Sequence, residues 1–218
     1  MITITKSSLT VFFLSAVLII FAIFAFIYNK NTDKVDQESD SEVIMPLSGM
    51  TLGNPNAPVK IVEYASFTCP HCATFHLDVL PNIKKKYLDK GLVHLEYREV
   101  YFDGPGLWAG LLARCKGNEK YFPMIDLIFK NQEDWAKGNI DNIKDGLLSM
   151  GRQAGLTDEE SLACLEDDNL AEELVVLFQE NAKRDNISST PSFLINGQLV
   201  KNLPLPEFEE LIDNYLNK

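Results

Sequence analysis

The sequence predicts an α/β fold in which two small strand-and-helix units flank a block of helices, and three observations lead to this prediction. Residues 59–65 are β-branched and mostly apolar, as in a buried strand. A helical period begins at Pro70, and residues 92–100 form a second strand pattern. The pair Asn196-Gly197 between two short apolar runs indicates a hairpin near the carboxyl end. The expected order is therefore strand, helix, strand, several helices, a two-stranded hairpin and a final helix.

The amino-terminal segment differs from the rest of the chain. Residues 9–28 carry no charge, and as a helix they would span about 30 Å, the thickness of a bilayer core. Bulky residues stand at the end of this stretch, where a cleavable signal peptide would have small ones. The pattern therefore favours one uncleaved transmembrane signal anchor over residues 1–30, followed by a polar tether over residues 31–50.

The composition excludes one class of function and leaves the cysteines to be explained. The 218-residue chain has a formal net charge of -11, so it offers no basic face for nucleic-acid phosphates. A chain of this length can bury a self-sufficient core without disulfides. Its four cysteines therefore require another role.

Two of these cysteines, Cys69 and Cys72, lie where the first strand leads into the first helix. Thr68 is the expected helix cap, and Pro70 suits the first helical turn. Unpaired N–H groups at a helix start stabilise negative charge, so the pKa of Cys69 should be lowered. His71 is the nearest side chain that could stabilise the thiolate further. Cys72, one turn into the helix, should be more buried and should keep a higher pKa, an asymmetry that suits thiol–disulfide exchange.

Two other classes of function compete with this interpretation. Cys69, Cys72 and His76 form a Cys-x2-Cys-x3-His pattern that could bind copper or zinc. However, a closed zinc site would lack an obvious fourth ligand, and His76 is more typical of a partly exposed helix residue. Alternatively, the apolar residues between 122 and 135 could be a partner surface of a non-catalytic module, although at helical spacing such residues usually belong to the core. That hypothesis expects no effect when both cysteines are replaced by serine.

The sequence resembles the DsbA family of thiol–disulfide oxidoreductases. The resemblance lies in the segment Glu63-Tyr64-Ala65-Ser66-Phe67-Thr68-Cys69-Pro70-His71-Cys72, in the distant Thr190-Pro191 and in the helical block between them. With the two extra cysteines, the resemblance is to the alphaproteobacterial branch. It covers roughly residues 45–218. It implies a thioredoxin-like fold formed by residues 51–103 and 187–218, with an inserted helical domain over residues 104–186.

The resemblance also implies roles for the residues of the motif. Cys69 would be the nucleophile and Cys72 the resolving cysteine, while Pro70 and His71 would set the redox potential. Stabilising the reduced thiolate makes the disulfide a stronger oxidant.

Further roles follow from the same resemblance for residues outside the motif. Pro191 would form a cis peptide bond with Thr190 beside the active site. Glu63 would lie beneath it as a proton acceptor for Cys72, although a solvent-exposed edge position for Glu63 stays open. Cys115 and Cys164 match the second cysteine pair of this branch, so a structural disulfide is expected between them, the alternative being two buried free thiols.

Several expectations about the cellular setting complete the prediction. The Cys69–Cys72 disulfide would be donated to reduced, unfolded secreted or membrane proteins in a bacterial periplasm, since such donors work in oxidising compartments. A membrane partner linked to quinone would reoxidise the pair, and no soluble cofactor is implied. The catalytic domain would be held at the inner membrane by its anchor, as a monomer. An isomerase or reductase of the same fold is the alternative within redox chemistry.

Overall fold

A mixed five-stranded sheet forms the centre of the protein. The computed structural model describes residues 49–217; the predicted anchor and nearly all of the tether lie outside this range. The strands are β1 (Met50–Gly53), β2 (Val59–Ala65), β3 (Val93–Glu99), β4 (Ser192–Ile195) and β5 (Gln198–Lys201). Their order in the sheet is β1-β3-β2-β4-β5. β2 pairs in parallel with β3, and the other three pairings are antiparallel.

The first helix, α1, covers residues 70–88 in four consecutive parts. Pro70–Thr74 and Leu80–Ile83 are α-helical, whereas Phe75–Val79 and Lys84–Leu88 are π-helical. Pro81 stands at the start of the second α-helical part. A proline cannot donate the i→i−4 hydrogen bond, so a local change of helical geometry around it is expected.

Six helices between β3 and β4 form the inserted block. They are α2 (Gly104–Arg114), α3 (Asn118–Lys130), α4 (Gln132–Trp135), α5 (Ile140–Gln153), α6 (Asp158–Leu165) and α7 (Asp168–Arg184). A last helix, α8 (Leu205–Leu216), follows the hairpin. Thr157 and Glu160 form a capping box at the start of α6, as the Thr-x-x-Glu spacing in the sequence favours. The helical spacing of the apolar residues between 122 and 135 does not continue through one helix, because the chain breaks at Asn131 into α3 and α4.

Two apolar clusters hold the described part of the chain together. One joins the sheet to the inserted helices and contains Phe67, Cys72, Tyr97 and Phe129. The other packs α1 and α8 on the sheet through Phe75, Phe193 and Phe208. Cys72 therefore lies in the core that the sheet shares with the insertion, and the active-site segment is held from both sides.

The thioredoxin-like arrangement with a helical insertion is confirmed for residues 49–217. In that range, no helix is both long enough and apolar enough to cross a membrane.

Candidate active site

The cysteine pair lies at the start of α1. Cys69 is the capping residue, with an extended backbone (φ -86°, ψ 117°), and its carbonyl oxygen accepts the N–H groups of Cys72 and Ala73 at 3.1 and 3.2 Å. Cys69 is partly exposed, whereas Cys72 is completely buried; both are free thiols in this structure. The expected difference in exposure is thus present.

The predicted cap residue is wrong. No side chain caps α1. The hydroxyl of Thr68 instead donates to Oδ2 of Asp103 at 2.8 Å. Oδ1 of Asp103 accepts the N–H of Gly106 at 2.7 Å and so caps α2. Asp103 thereby ties the active-site loop to the first inserted helix.

The two thiols have opposite pKa shifts. A hydrogen bond from Cys72 is the largest effect on Cys69, and it outweighs burial and lowers the pKa of Cys69 from 9.0 to about 5. Thr190 and the backbone N–H groups of Cys72 and His71 lower this pKa further. Burial is the main reason why the pKa of Cys72 is raised far above its ordinary value, and the charges of Cys69 and Glu63 add to the effect. At neutral pH, Cys69 is therefore a thiolate and Cys72 holds its proton.

His71 acts on Cys69 through its backbone. Its side chain is exposed, and its backbone N–H is the group that lowers the pKa of Cys69. The imidazole contribution expected from the sequence is therefore replaced by a main-chain contribution, as is typical of a thiolate at a helix start.

The loop before β4 forms the opposite wall of the site. The Thr190–Pro191 peptide bond is cis, as the resemblance implied. In its thiol form, the sulfur of Cys69 lies 3.5 Å from the carbonyl oxygen of Thr190 and donates to it. Pro191 is buried and Thr190 is partly exposed. A polypeptide that reaches Cys69 therefore meets the backbone of Thr190 beside the sulfur.

Glu63 lies beneath the pair in the middle of the sheet. It is in register with Tyr97 of β3 and Phe193 of β4, and its exposed fraction is 0%. The alternative of a solvent-exposed edge position is therefore wrong. Neither carboxylate oxygen of Glu63 has a well-aligned hydrogen-bond partner, although Oε1 lies 3.2 Å from Nε2 of His76.

His76 differs from the sequence-based expectation of partial exposure, since only 4% of it is exposed. Its ring is stacked on Phe129 with centroids 4.3 Å apart, and it meets the ring of Tyr97 edge-on at 5.4 Å. The inserted helix α3 thus covers a side chain that local periodicity places near the surface. Among residues 49–217, no group of three or more His, Cys, Asp and Glu side chains is arranged to hold a metal ion.

The second cysteine pair lies within the insertion. Cys115, directly after α2, forms a disulfide with Cys164 of α6, as the resemblance implied. The bond joins residues 49 positions apart, with Cα atoms separated by 5.7 Å.

Sequence reasoning missed Gln132, the first residue of α4. It is buried, and its side-chain Nε2 donates to the carbonyl oxygens of Phe67 at 2.7 Å and Cys69 at 3.0 Å. Nothing in the local sequence marks this residue, because its partners lie more than sixty positions earlier. A polar residue at the start of a short helix after a break is the only signal, and it is a weak one.

The fold and the site define a class: a thioredoxin-like protein with a helical insertion and a Cys-x-x-Cys pair at a helix start, facing a cis-proline. The thioredoxin family model matches residues 47–214. The chain belongs to this family, within its DsbA-like alphaproteobacterial branch.

Individual relatives agree with this assignment. A curated Rickettsia bellii protein named as a protein-disulfide oxidoreductase is 35% identical over 170 residues, which cover 78% of this chain. This chain spans only 65% of the length of that relative. A Bacillus cereus protein named as a disulfide bond formation protein D is 30% identical, with 97% of each chain covered. The crystal structure of Wolbachia pipientis alpha-DsbA1 matches with a TM-score of 0.67 and 29% identity, over 81% of this chain and 96% of that one.

Proposed function

We propose that this protein is a thiol–disulfide oxidoreductase that donates a Cys69–Cys72 disulfide to reduced polypeptides through a mixed disulfide. The observation that carries the proposal is that the pKa values of the two thiols shift in opposite directions. The hydrogen bond from Cys72 lowers the pKa of Cys69 to about 5, and burial raises the pKa of Cys72. A stabilised Cys69 thiolate favours the reduced form of the pair, so the oxidised form is a strong acceptor of electrons.

The steps of the exchange follow from the exposure of the two sulfurs. A client thiolate attacks Sγ of Cys69, the Cys69–Cys72 bond breaks, and its electron pair stays on Cys72, which takes up a proton. A second client thiolate then attacks the client sulfur of the mixed disulfide, and Cys69 leaves as a thiolate. The client has lost two electrons and gained a disulfide, while the protein now holds a Cys69 thiolate and a Cys72 thiol. Because Cys72 is buried, a client reaches only Cys69.

Features around Cys69 suit an unfolded polypeptide as the substrate. The Thr190 backbone lies beside the sulfur. Phe102 is 60% exposed and precedes Asp103, which binds Thr68. An exposed aromatic ring on the loop that Asp103 ties to Thr68 offers contact area to the apolar residues of unfolded chains.

The proposal includes a location and partners. The uncharged stretch over residues 9–28 supports a single-pass anchor in a bacterial inner membrane. The oxidising chemistry supports a periplasmic position for the domain, with secreted or membrane proteins as clients. A quinone-linked membrane protein would restore the Cys69–Cys72 disulfide, and the protein would act as a monomer.

The test is a refolding assay with the oxidised full chain and a reduced client protein that contains two cysteines. We expect one client disulfide to form for each Cys69–Cys72 disulfide consumed, as counted by thiol alkylation and mass spectrometry. If the client keeps both thiols while the Cys69–Cys72 disulfide persists, the proposed activity is wrong.

A further inference from the structure

The proposed exchange requires a proton to reach and leave a completely buried sulfur. Cys72 is 0% exposed, and burial raises its pKa strongly. An uncompensated thiolate in such a place is costly, so the leaving Cys72 needs a proton as the disulfide opens. Solvent has no direct access to this sulfur.

Glu63 is a buried carboxyl group whose charge acts on Cys72. It is 0% exposed, and its charge is one of those that raise the pKa of Cys72, after burial and Cys69. However, Glu63 lies in the central strand β2 between β3 and β4. A carboxyl group enclosed in this way could deliver one proton but would then need a route for another.

His76 offers that route. Its Nε2 lies 3.2 Å from Oε1 of Glu63, and neither ring nitrogen has another hydrogen-bond partner in the protein. A side chain that is 96% buried with both nitrogens unpaired is unusual, since buried polar groups are normally satisfied. Imidazole can take up a proton on one nitrogen and release it from the other, and it does so near neutral pH.

The residues around His76 enclose its ring, and an exposed group that it interacts with is Asp126 of α3. Tyr97 of β3 and Phe129 of α3 close two sides of the ring. On the side of α3 lies the exposed Asp126; burial raises its pKa, and the nearby charges of His76 and Lys84 partly offset this. The titratable groups that face His76 are thus Glu63, Tyr97 and Asp126, with Cys72 on its own helix.

We propose that Glu63 and His76 form a proton path for Cys72, in which His76 connects the buried Glu63 to solvent on the Asp126 side. When a thiolate attacks Cys69, Glu63 gives its proton to the departing Cys72 sulfur, and His76 returns a proton to Glu63. When the pair is reoxidised, the proton leaves by the same groups in reverse. This inference rests on the proposed disulfide chemistry, and His76 acts through Glu63 and touches no substrate.

The test measures the opening of the Cys69–Cys72 disulfide by reduced glutathione in the full chain, by rapid acid quench and mass spectrometry between pH 5 and 8. Rates are divided by the glutathione thiolate concentration. Glutathione is used because its reaction with Cys69 does not depend on whether polypeptides are clients. Failure of client oxidation with normal glutathione exchange would therefore overturn the proposed function and leave this test intact.

The variants separate proton transfer from packing. His76→Gln keeps a polar group near Glu63 but cannot carry a proton in this range, and His76→Phe keeps a ring against Phe129. His94→Gln, at a half-buried position of β3, is the matched control. We expect both His76 variants to open the disulfide about tenfold more slowly at pH 7, a modest share of what general acid catalysis can contribute.

Three further readouts distinguish a path from a structural role. A proton carrier speeds both directions equally, so the equilibrium constant with glutathione should stay unchanged. Glu63→Gln should slow opening at least as much as His76→Gln, and the double variant should be no slower than Glu63→Gln alone. Asp126→Asn should slow opening by about threefold, unlike Asp145→Asn, an exposed acid on α5.

Wild-type rates in both His76 variants would overturn the proposal. So would a slowing that appears in one direction only, since that is a change in the equilibrium constant. Additive effects of the Glu63 and His76 substitutions would show two independent roles and would likewise contradict the path.

Discussion

The chain contains two pairs of cysteines, and their surroundings differ in every respect that matters for exchange. Cys69 and Cys72 are neighbours within one helical turn, and one of them reaches solvent. Cys115 and Cys164 come from two different helices of the insertion and are joined by a disulfide. The first pair carries opposite pKa shifts, because a hydrogen bond from Cys72 is the main reason for the lowered pKa of Cys69 and burial is the main reason for the raised pKa of Cys72. The residues around each cysteine pair, and not the presence of two thiols, therefore distinguish a transferable disulfide from a structural one.

The largest effect should come from replacing the exposed sulfur. Cys69→Ser should abolish client oxidation, because Cys72 is out of reach of a client thiol. Cys72→Ser, mixed with the disulfide form of the client, should instead accumulate a mixed disulfide, because the Cys69 thiolate attacks the client disulfide and no Cys72 remains to resolve it. The product is detectable as an added mass on non-reducing gels. A client trapped on Cys72 in the Cys69→Ser variant would contradict the assigned order of attack.

The next largest effect should be seen in the pH dependence of the alkylation of Cys69. With a pKa of about 5 for Cys69, reduced protein should react with iodoacetamide almost fully at pH 6, where an ordinary thiol is about one part in a thousand thiolate. The rate should fall as the pH drops through 5. A midpoint above about 7.5 would show that the surroundings of Cys69 do not stabilise its thiolate.

The same lowered pKa affects stability, and the sign follows from it. Because the folded state holds the thiolate more tightly than the unfolded state, reduced protein gains stability that is complete above pH 9 and is lost as the pH falls through about 5. The melting temperature of the reduced protein, relative to that of the oxidised protein, should therefore be higher at pH 8 than at pH 5. Cys72 does not alter this trend in the range, since its raised pKa keeps it protonated there.

Breaking the structural pair should affect folding and leave the chemistry intact. The double variant Cys115→Ala, Cys164→Ala should lose about 4 kcal/mol of unfolding free energy, the chain-entropy value for this loop length. Urea unfolding measures the loss. At a temperature where the variant stays folded, its rate of glutathione exchange should match the wild type, and a loss of exchange there would show that the disulfide also shapes the active site.

Gln132 tests how far the insertion supports the site. Gln132→Leu removes two hydrogen bonds and leaves the carbonyl groups of Phe67 and Cys69 without this donor. We expect a loss of about 2 kcal/mol in unfolding free energy, together with a higher pKa of Cys69 as its loop loosens. Gln153→Leu, at an exposed position of α5, is the matched control and should change neither quantity.

The smallest effect should come from the exposed ring beside the site. Phe102→Ser should slow the oxidation of an unfolded client by about threefold through lost apolar contact, while exchange with glutathione stays unchanged. Ile140→Ser, a similarly exposed apolar residue on α5, serves as the control. Equal slowing for glutathione and the client would place the effect on Cys69 itself.

Local signals in the sequence predicted much of this molecule. The Asn196-Gly197 turn has positive φ at both residues, as a two-residue hairpin requires, and the start of α6 has its capping box. The position of Cys69 at a helix start, and hence its lowered pKa, also followed from nearby residues. Each of these features depends on a few residues that are close together in the sequence, so local patterns predict it.

Features that depend on distant partners were missed. Thr68 binds Asp103, 35 positions away, in place of capping its own helix. His76 is buried because α3 covers it with Phe129. The pairing of β1 with β3 and the contact of Gln132 with the active-site loop are likewise tertiary. Propensity and periodicity describe one element at a time and do not contain this information.

On this account, the residues around Cys69 and Cys72 make their disulfide transferable, whereas the disulfide between Cys115 and Cys164 is permanent. The most direct measurement is the reduction potential of each pair in the full chain, by equilibration with glutathione and mass spectrometry after alkylation. We expect Cys69–Cys72 to be reduced at a potential well above that of the glutathione couple, while Cys115–Cys164 stays oxidised throughout. A potential for Cys69–Cys72 near that of thioredoxin, about −270 mV, would contradict a disulfide donor and make this protein a reductant or an isomerase that is kept reduced.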